Sequence, residues 1–350
     1  MNAITLAERR LLPDWLIRIG IRKMLRDRIR SERRKTEEEK LLAKSDFFEM
    51  LWQSPVAIES TAANDQHYEV PAEFFRLVLG PHLKYSCGLW GEIPTSTLDM
   101  AQSEIDMLCL SAERADIQDG MRILDLGCGW GSFSLYAAKM YPESEVIGVS
   151  NSKSQREWIM QQAGERGLSN LEIRTADVAT LEMDESFDRV VSIEMFEHMR
   201  NYQELLSRIS GWLNPDGKLF VHVFCHKELA YAFNVGEPRD WMARHFFTGG
   251  LMPSEDLLGN FQDDLRLEST WQVNGMHYGF TCESWLKKLD QNIDQVRKVI
   301  LSAVGNKETA VIQIQRWRMF FMACAELFSY DSGKQWYVAH YLFANQSFAA

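Results

Sequence analysis

The chain has 350 residues, enough for one large core or about two domains, with 46% hydrophobic and 25% charged residues as in an ordinary globular protein. Its net charge is −11, and an acidic body disfavours phosphate backbones, so nucleic acid is not an expected partner. The six cysteines contain no CxxC pair and no apolar run reaches 18 residues, which argues against a disulfide frame, a zinc or other metal site, and a membrane span.

Met1–Gly20 lacks a signal-type apolar core, because Glu8, Arg9, Arg10, Asp14 and Arg18 interrupt it. A reducing, cytoplasmic setting is therefore expected. Leu11–Arg34 reads as an amphipathic helix carrying Trp15, Ile19, Leu25 and Ile29. Residues 9–35 hold eleven Lys/Arg against three acids, a net of +8, which leaves −19 on the rest. This helix packs on the body, packs on a second copy in a homodimer, or lies on an anionic membrane surface as a peripheral contact. As a membrane anchor it would be dispensable for chemistry on a soluble substrate. Residues 46–118 read as mostly helical, broken by Pro55, Pro71, Pro81 and Pro94.

From Gly120 the pattern alternates. Strands are predicted at 122–126, 145–149, 171–174, 188–193 and 218–224, with helices at 133–139, 153–166 and 202–213 between them. Such alternation implies a parallel, doubly wound α/β sheet. An aromatic-rich insertion follows from His226 to about Gln262, then strands at 265–273 and 336–343 with long helices at 283–304 and 308–328 between them. The expected organisation is a helical extension over 1–60, a helical lead-in over 61–118, a cofactor-binding core over 119–225, and a cap with C-terminal helices and closing strands over 226–350.

Arg122-Ile-Leu-Asp-Leu-Gly-Cys-Gly-Trp-Gly131 runs a buried strand into a glycine-rich turn and a helix. Gly127, Gly129 and Gly131 let a ligand approach the backbone, and the helix N-terminus favours a negative group there. A dinucleotide fingerprint needs GxGxxG, but position 132 is Ser. The GxGxG spacing after Asp125 favours S-adenosylmethionine, whose carboxylate supplies that negative group. Cys128 reads as a small filler. Strand two ends without the usual acid; Ser150, Asn151 and Gln155 stand there as hydrogen-bonding groups for the ribose and amino-acid portions. Asp177, after strand three, is a candidate for the adenine amino group, or a helix N-cap.

Ser192-Ile-Glu-Met-Phe-Glu-His-Met199 lies at the carboxyl end of a predicted buried strand, where open α/β sheets bind ligands. If Glu194 opens a helical turn, Glu197 and His198 follow at i+3 and i+4 on one face. Two acids and an imidazole there suit an ammonium group and a departing proton.

These segments resemble the cyclopropane fatty acid synthase superfamily, and within it the coclaurine N-methyltransferase-like branch. The resemblance rests on Asn-Asp-Gln-His-Tyr-Glu-Val-Pro (64–71), Lys-Tyr-Ser-Cys (84–87), the glycine loop, Phe-Glu-His-Met (196–199) and Phe-Cys-His-Lys (224–227). It implies a Rossmann-like class I S-adenosylmethionine-dependent methyltransferase fold with a helical N-terminal extension and a helical cap insertion. Cofactor contacts carry over to Ser86, Gly127, Asn151, Gln155, Asp177, Val178 and Ile193. Acceptor chemistry carries over to Glu194, Glu197 and His198, with Glu69 as a further candidate.

The lipid branch of the same superfamily uses bicarbonate as a base, held by residues that match Cys87, Glu197, His222 and Tyr278. It generally has Gly where Glu194 stands, and a small aliphatic residue where Phe224 stands. A cysteine matching Cys324 has been proposed as catalytic there; here it reads as packing. The leading expectation is methylation of a small amine, with His198 as proton acceptor, Glu194 and Glu197 holding the ammonium, and Trp241, Phe246 and Phe247 as an aromatic wall. Transfer to an unsaturated acyl lipid, and a non-catalytic cofactor-binding role, remain as alternatives.

Overall fold

The computed structural model describes residues 2–58, 71–92, 99–233, 236 and 240–346. Its strands are β1 (Arg122–Leu126), β2 (Glu145–Ser150), β3 (Leu171–Thr175), β4 (Phe187–Ile193), β5 (Leu213–His226), β6 (Tyr231–Ala232), β7 (Leu251–Met252), β8 (Leu265–Val273) and β9 (Trp336–Asn345). Seven of them form one sheet in the order β3-β2-β1-β4-β5-β9-β8. The first five run parallel, while β9 is antiparallel to both β5 and β8. This is the Rossmann-like doubly wound fold that the sequence predicts.

Buried parallel strands must be apolar on both faces, and these are. Ile123, Val146, Ile173, Val191 and Phe220 pack towards one face. That face is covered by α5 (Met100–Arg114), α6 (Ser132–Met140) and α7 (Lys153–Glu165). Leu124, Ile147, Val190, Leu219 and Val221 turn the other way, with α8 (Tyr202–Trp212) and the end of α3 (Glu37–Gln53) over them.

A third cluster forms the helical lobe. It joins α1 (Ala3–Glu8), α2 (Asp14–Arg33), α4 (Ala72–Val78) and α9 (Trp241–His245) to three C-terminal helices. These are α10 (Gly275–Gln291), α11 (Ile293–Val304) and α12 (Lys307–Phe328). The single helix expected over 283–304 is thus two, and the first begins eight residues earlier. Asn274 caps α10 by accepting from the Met276 N–H. Asn292 leaves helical geometry at φ −101°, ψ 19°, and its side chain donates to Leu77 O at 2.7 Å.

The amphipathic segment starts at Asp14 rather than Leu11, because Pro13 caps it in extended geometry and α1 stands apart. It packs on the body. Arg18 reaches Glu283 (2.5 Å) and Glu326 (3.0 Å), and Arg22 reaches Glu326 (2.5 Å). Asp14 joins Asp290 around the buried Arg318. Three of the eleven local cations, Arg9, Arg18 and Arg22, are therefore paired with acids of the C-terminal helices. Leu11, Trp15, Ile19 and Met24 stay exposed. No helix among the described residues is long and apolar enough to cross a membrane.

Candidate active site

The strands β1, β2 and β3 each end in a turn on the same edge of the sheet, and the helical lobe closes over that edge. Between them lies a cavity of about 780 Å³, which shares Gly127, Gly129, Glu194 and His198 as lining with an adjoining narrow lobe of about 70 Å³.

The narrow lobe is lined by Gly127, Gly129, Asn151, Gln155, Asp177 and Val178, six of the predicted cofactor residues. Ser86 and Ile193 stand on the wall of the larger cavity beside it. Gly127 has φ +84°, and a Cβ there would meet the Met195 side chain at 2.8 Å. Gly129 has φ +53°, and a Cβ there would point into open space with nothing within 4 Å. Gly131 serves packing, since its Cβ would collide with Ile159.

The residues present fit S-adenosylmethionine. Gln155 is buried; its Oε1 accepts from Ser150 Oγ at 2.6 Å, while its Nε2 has no protein partner and is a spare donor at the end of β2. Asp177 spends one oxygen on the Ala179 N–H (2.9 Å) and still lines the lobe, so the capping role and the ligand-facing role coexist. Asp125 lies beneath the turn, taking a 2.5 Å hydrogen bond from Ser134 Oγ, with its carboxyl raised to about 7 by burial.

The acceptor residues gather where the two lobes meet, but not by the expected helical spacing. Glu194 does not open a helical turn: it has φ +52°, a left-handed conformation that costs about 1 kcal/mol or more for a residue with a Cβ. Its N–H is held by His222 O at 2.8 Å, and a short 3-10 turn then covers Phe196–His198. The kink brings the Glu194 and Glu197 carboxyls close enough for each to act on the other's protonation. Both acids are held above the ordinary carboxylate range. Burial is the main cause for each, and the neighbouring Glu197 charge adds to it at Glu194; Glu197 is raised to about 8. These shifts favour a protonated, uncharged pair near neutral pH, and a cation bound beside it would favour the form that has lost a proton and carries one negative charge. His198 lines both lobes with its ring parallel to Phe247, centroids 5.9 Å apart.

Of the bicarbonate set, Glu197 and Tyr278 line the cavity, whereas Cys87 and His222 stand behind its wall. The Glu194 carboxyl sits between His222 Nε2 (3.3 Å) and Tyr278 Oη (3.4 Å). The Glu194 carboxyl thus stands between two of the residues that the resemblance assigns to bicarbonate. Cys87 donates to Gly88 O, and burial pushes its thiol up. Cys324 is buried beside Cys282.

The aromatic wall differs in part from expectation. Trp241 and Phe247 line the cavity, but Phe246 is core, stacked on Phe320 at 4.3 Å. Other rings complete the wall: Phe224, Phe233, Trp285, and Tyr278 stacked on Phe328 at 4.3 Å. Glu69 lies outside the described residues.

Sequence reasoning missed three features. The N-terminal helix α2 is a wall of the cavity through Leu16, Ile17, Ile21 and Leu25. Lys84 is 1% exposed, donates to Ser86 Oγ, and is lowered to about 8 by burial against the opposing pull of Cys87, Glu194 and Glu104. The third is a row of buried side chains behind Glu194, comprising His222, His340 and Arg114. The signal available for the second was Lys84 itself, at the head of the Lys-Tyr-Ser-Cys segment two residues before Ser86.

A family model described as mycolic acid cyclopropane synthetase matches residues 57–337. An (S)-coclaurine N-methyltransferase from Thalictrum flavum subsp. glaucum is 38% identical over 336 residues, 95% of this chain and 92% of that one. The crystal structure of a coclaurine N-methyltransferase bound to N-methylheliamine and SAH superposes with a TM-score of 0.92 at 38% identity, covering 97% of each chain. The cyclopropane synthase MmaA2 from Mycobacterium tuberculosis shares the fold at a TM-score of 0.69 and 22% identity, over 83% of this chain and 100% of that one.

Proposed function

Because the chain belongs to the mycolic acid cyclopropane synthetase family, in its coclaurine N-methyltransferase-like branch, we propose that it methylates the nitrogen of a bulky, apolar amine. It is an S-adenosylmethionine-dependent methyltransferase. The observation that carries the choice of acceptor is the buried Glu194–Glu197 pair at the end of an aromatic cavity of about 780 Å³. Part of that volume lies against the cofactor residues Ser86, Gly127, Gly129 and Ile193; the rest suits an apolar ligand, and its rings favour a cation by cation–π contact.

S-adenosylmethionine supplies an electrophilic methyl group, and Ser86, Gly127, Gly129, Asn151, Gln155, Asp177, Val178 and Ile193 would hold it. The remaining task belongs to the chain's own residues. An amine of pKa ~9.5 is protonated at pH 7, and freeing its lone pair costs about 3.4 kcal/mol. Glu194 and Glu197 hold the ammonium in place of water and keep positive charge on nitrogen stable. His198, at the junction of the lobes, takes the departing proton. The apolar walls of α2, α10 and α12 exclude water and fix the nitrogen's approach, which can lower the barrier by several kcal/mol more.

The test is incubation with labelled S-adenosylmethionine and either a panel of secondary and tertiary apolar amines or phospholipid vesicles. Label is expected in amines. Glu194→Gln should lower kcat/KM for the amine by roughly 10- to 150-fold, the loss of one charge-assisted hydrogen bond. Affinity for S-adenosylhomocysteine should hardly change. Label in the lipid phase, with activity lost on bicarbonate depletion and a silent Glu194→Gln, would overturn the reading.

A further inference from the structure

Behind the carboxyl pair, a row of buried side chains crosses the sheet from its far edge to the cavity. Arg114, the last residue of α5, lies with its guanidinium 5.1 Å over the Trp271 ring of β8. Its Nη1 is 2.8 Å from His340 Nδ1 on β9. His340 Nε2 is 2.8 Å from His222 Nδ1 on β5, its directly paired neighbour across the antiparallel ladder. His222 Nε2 faces Glu194 Oε1 at 3.3 Å, and neither atom has a hydrogen-bond partner elsewhere in the protein. The two atoms lie within hydrogen-bonding distance of each other.

The polarity of this row has one solution. A guanidinium can only donate, so His340 Nδ1 must accept. Both histidines are fully buried, and burial holds each well below the ordinary histidine range, so each is neutral with one N–H. His340 therefore carries its proton on Nε2 and donates to His222 Nδ1. His222 in turn carries its proton on Nε2, aimed at Glu194. The reverse order, with a protonated Glu194 donating to His222, would set the His340 N–H against the Arg114 N–H. We propose that Arg114 and His340 are positioning residues, which lock the His222 tautomer and so force Glu194 Oε1 to act as a hydrogen-bond acceptor.

The consequence lies in the orientation of Glu194. With Oε1 committed to His222, the proton of the carboxyl pair is confined to the side shared with Glu197 and Tyr278, and the carboxylate keeps one fixed orientation. Lys84, Cys87, Glu197 and Tyr278 are the other polar groups that act on it. The role in amine binding rests on the function proposed above; the tautomer order does not.

The test separates the two. Wild-type enzyme labelled with 15N-histidine should show both buried imidazoles as neutral Nε2–H tautomers, a readout independent of substrate. His340→Phe, which keeps a ring but breaks the row, should raise KM for the amine and lower kcat/KM about tenfold, with S-adenosylhomocysteine affinity unchanged. His340→Gln should recover to within about threefold of wild type, because its amide oxygen accepts from Arg114 and its nitrogen donates to His222. If His340→Phe does not fold, Arg114→Met at the half-buried helix end serves in its place and should release the His222 tautomer. An Nδ1–H tautomer at either histidine in the wild type would overturn the proposal. So would an Arg114→Met enzyme with intact tautomers and kcat/KM within about twofold. If the tautomers are as stated while Glu194→Gln is silent towards amines, the amine reading fails and the hydrogen-bond order stands.

Discussion

The two ends of the cavity are built by different means. The proposed cofactor end comes from the turns after three consecutive strands, the first two of which lead into helices: Gly127 and Gly129 after β1, Asn151 and Gln155 after β2, Asp177 and Val178 after β3. Backbone shape does much of the work there, and each turn is local in sequence. The acceptor end is assembled from α2, the kink at Glu194, the segment around Tyr231–Met252, α10 and α12, which lie up to about three hundred residues apart. A site made of turns can be altered by one side chain that should not exist. A site made of packed side chains degrades in smaller steps.

The strongest way to break this contrast is Gly129→Val. The position has φ +53° and lines both lobes, and its Cβ would project into open space. S-adenosylhomocysteine binding should fall by more than about a hundredfold in calorimetry, from backbone strain and lost volume together. Undiminished affinity in a folded variant would mean that the glycine turn does not hold the cofactor. His198→Ala comes next. Loss of a positioned proton acceptor should lower kcat by about a hundredfold at pH 7 while KM moves little. The deficit should shrink as pH approaches the amine's own pKa, where the lone pair is free without help. A deficit constant with pH would make His198 a binding group only.

The acceptor wall gives a milder effect. Ile21 on α2 lines the cavity and is partly buried, so Ile21→Ala removes apolar contact without touching the chemistry. KM for a multi-ring amine should rise about five- to twentyfold with kcat retained, measured by steady-state kinetics. The same substitution should leave S-adenosylhomocysteine affinity unchanged. A parallel loss at both ligands would show that the ends are coupled through the helical lobe.

The same contrast explains what could be read in advance. The parallel strands were legible because each is a short β-branched run between helical stretches, and β9 was legible despite its reversed direction. The glycine turn was legible because its spacing has a backbone meaning. Glu194, Glu197 and His198 were legible as a cluster, but their geometry was not. A positive φ at a glutamate leaves no trace in residue pattern, and it replaces helical spacing with a carboxyl pair. Phe246 and Phe247 are adjacent and equally aromatic, yet one is core and one faces the cavity. Only the packing of α12 decides between them. Arg114, His222 and His340 come from three segments joined by the sheet register, so no local motif could connect them.

The smallest expected effect is a slope in stability with pH, and it too divides the two ends. Asp125 below the glycine turn is raised to about 7 and Glu197 to about 8, both by burial. Unfolded carboxyls titrate near 4, so the folded protein binds more protons than the unfolded chain from there upward. The contribution of each is fully present below about pH 4 and is lost as pH rises through 7 or 8. His222 and His340 work in the opposite sense, since their lowered values give stability that is present above about 6.5 and lost as pH falls. Lys84, lowered to about 8, adds stability that grows only above that pH. Between pH 6.5 and about 8 the carboxyls are therefore left unopposed, and stability should fall across this window. Glu197→Gln should flatten the slope by about 1 kcal/mol per pH unit in urea unfolding, and Asp125→Asn should flatten it only at the acid end of the window, below about pH 7. An apolar ammonium ligand favours the charged carboxyl pair, so it should flatten the wild-type slope too, and have no such effect on Glu197→Gln. S-adenosylhomocysteine, held at the other end, should raise stability without changing the Glu197 part of the slope. A slope that responds to the cofactor but not to the ammonium would place the cation away from the carboxyl pair.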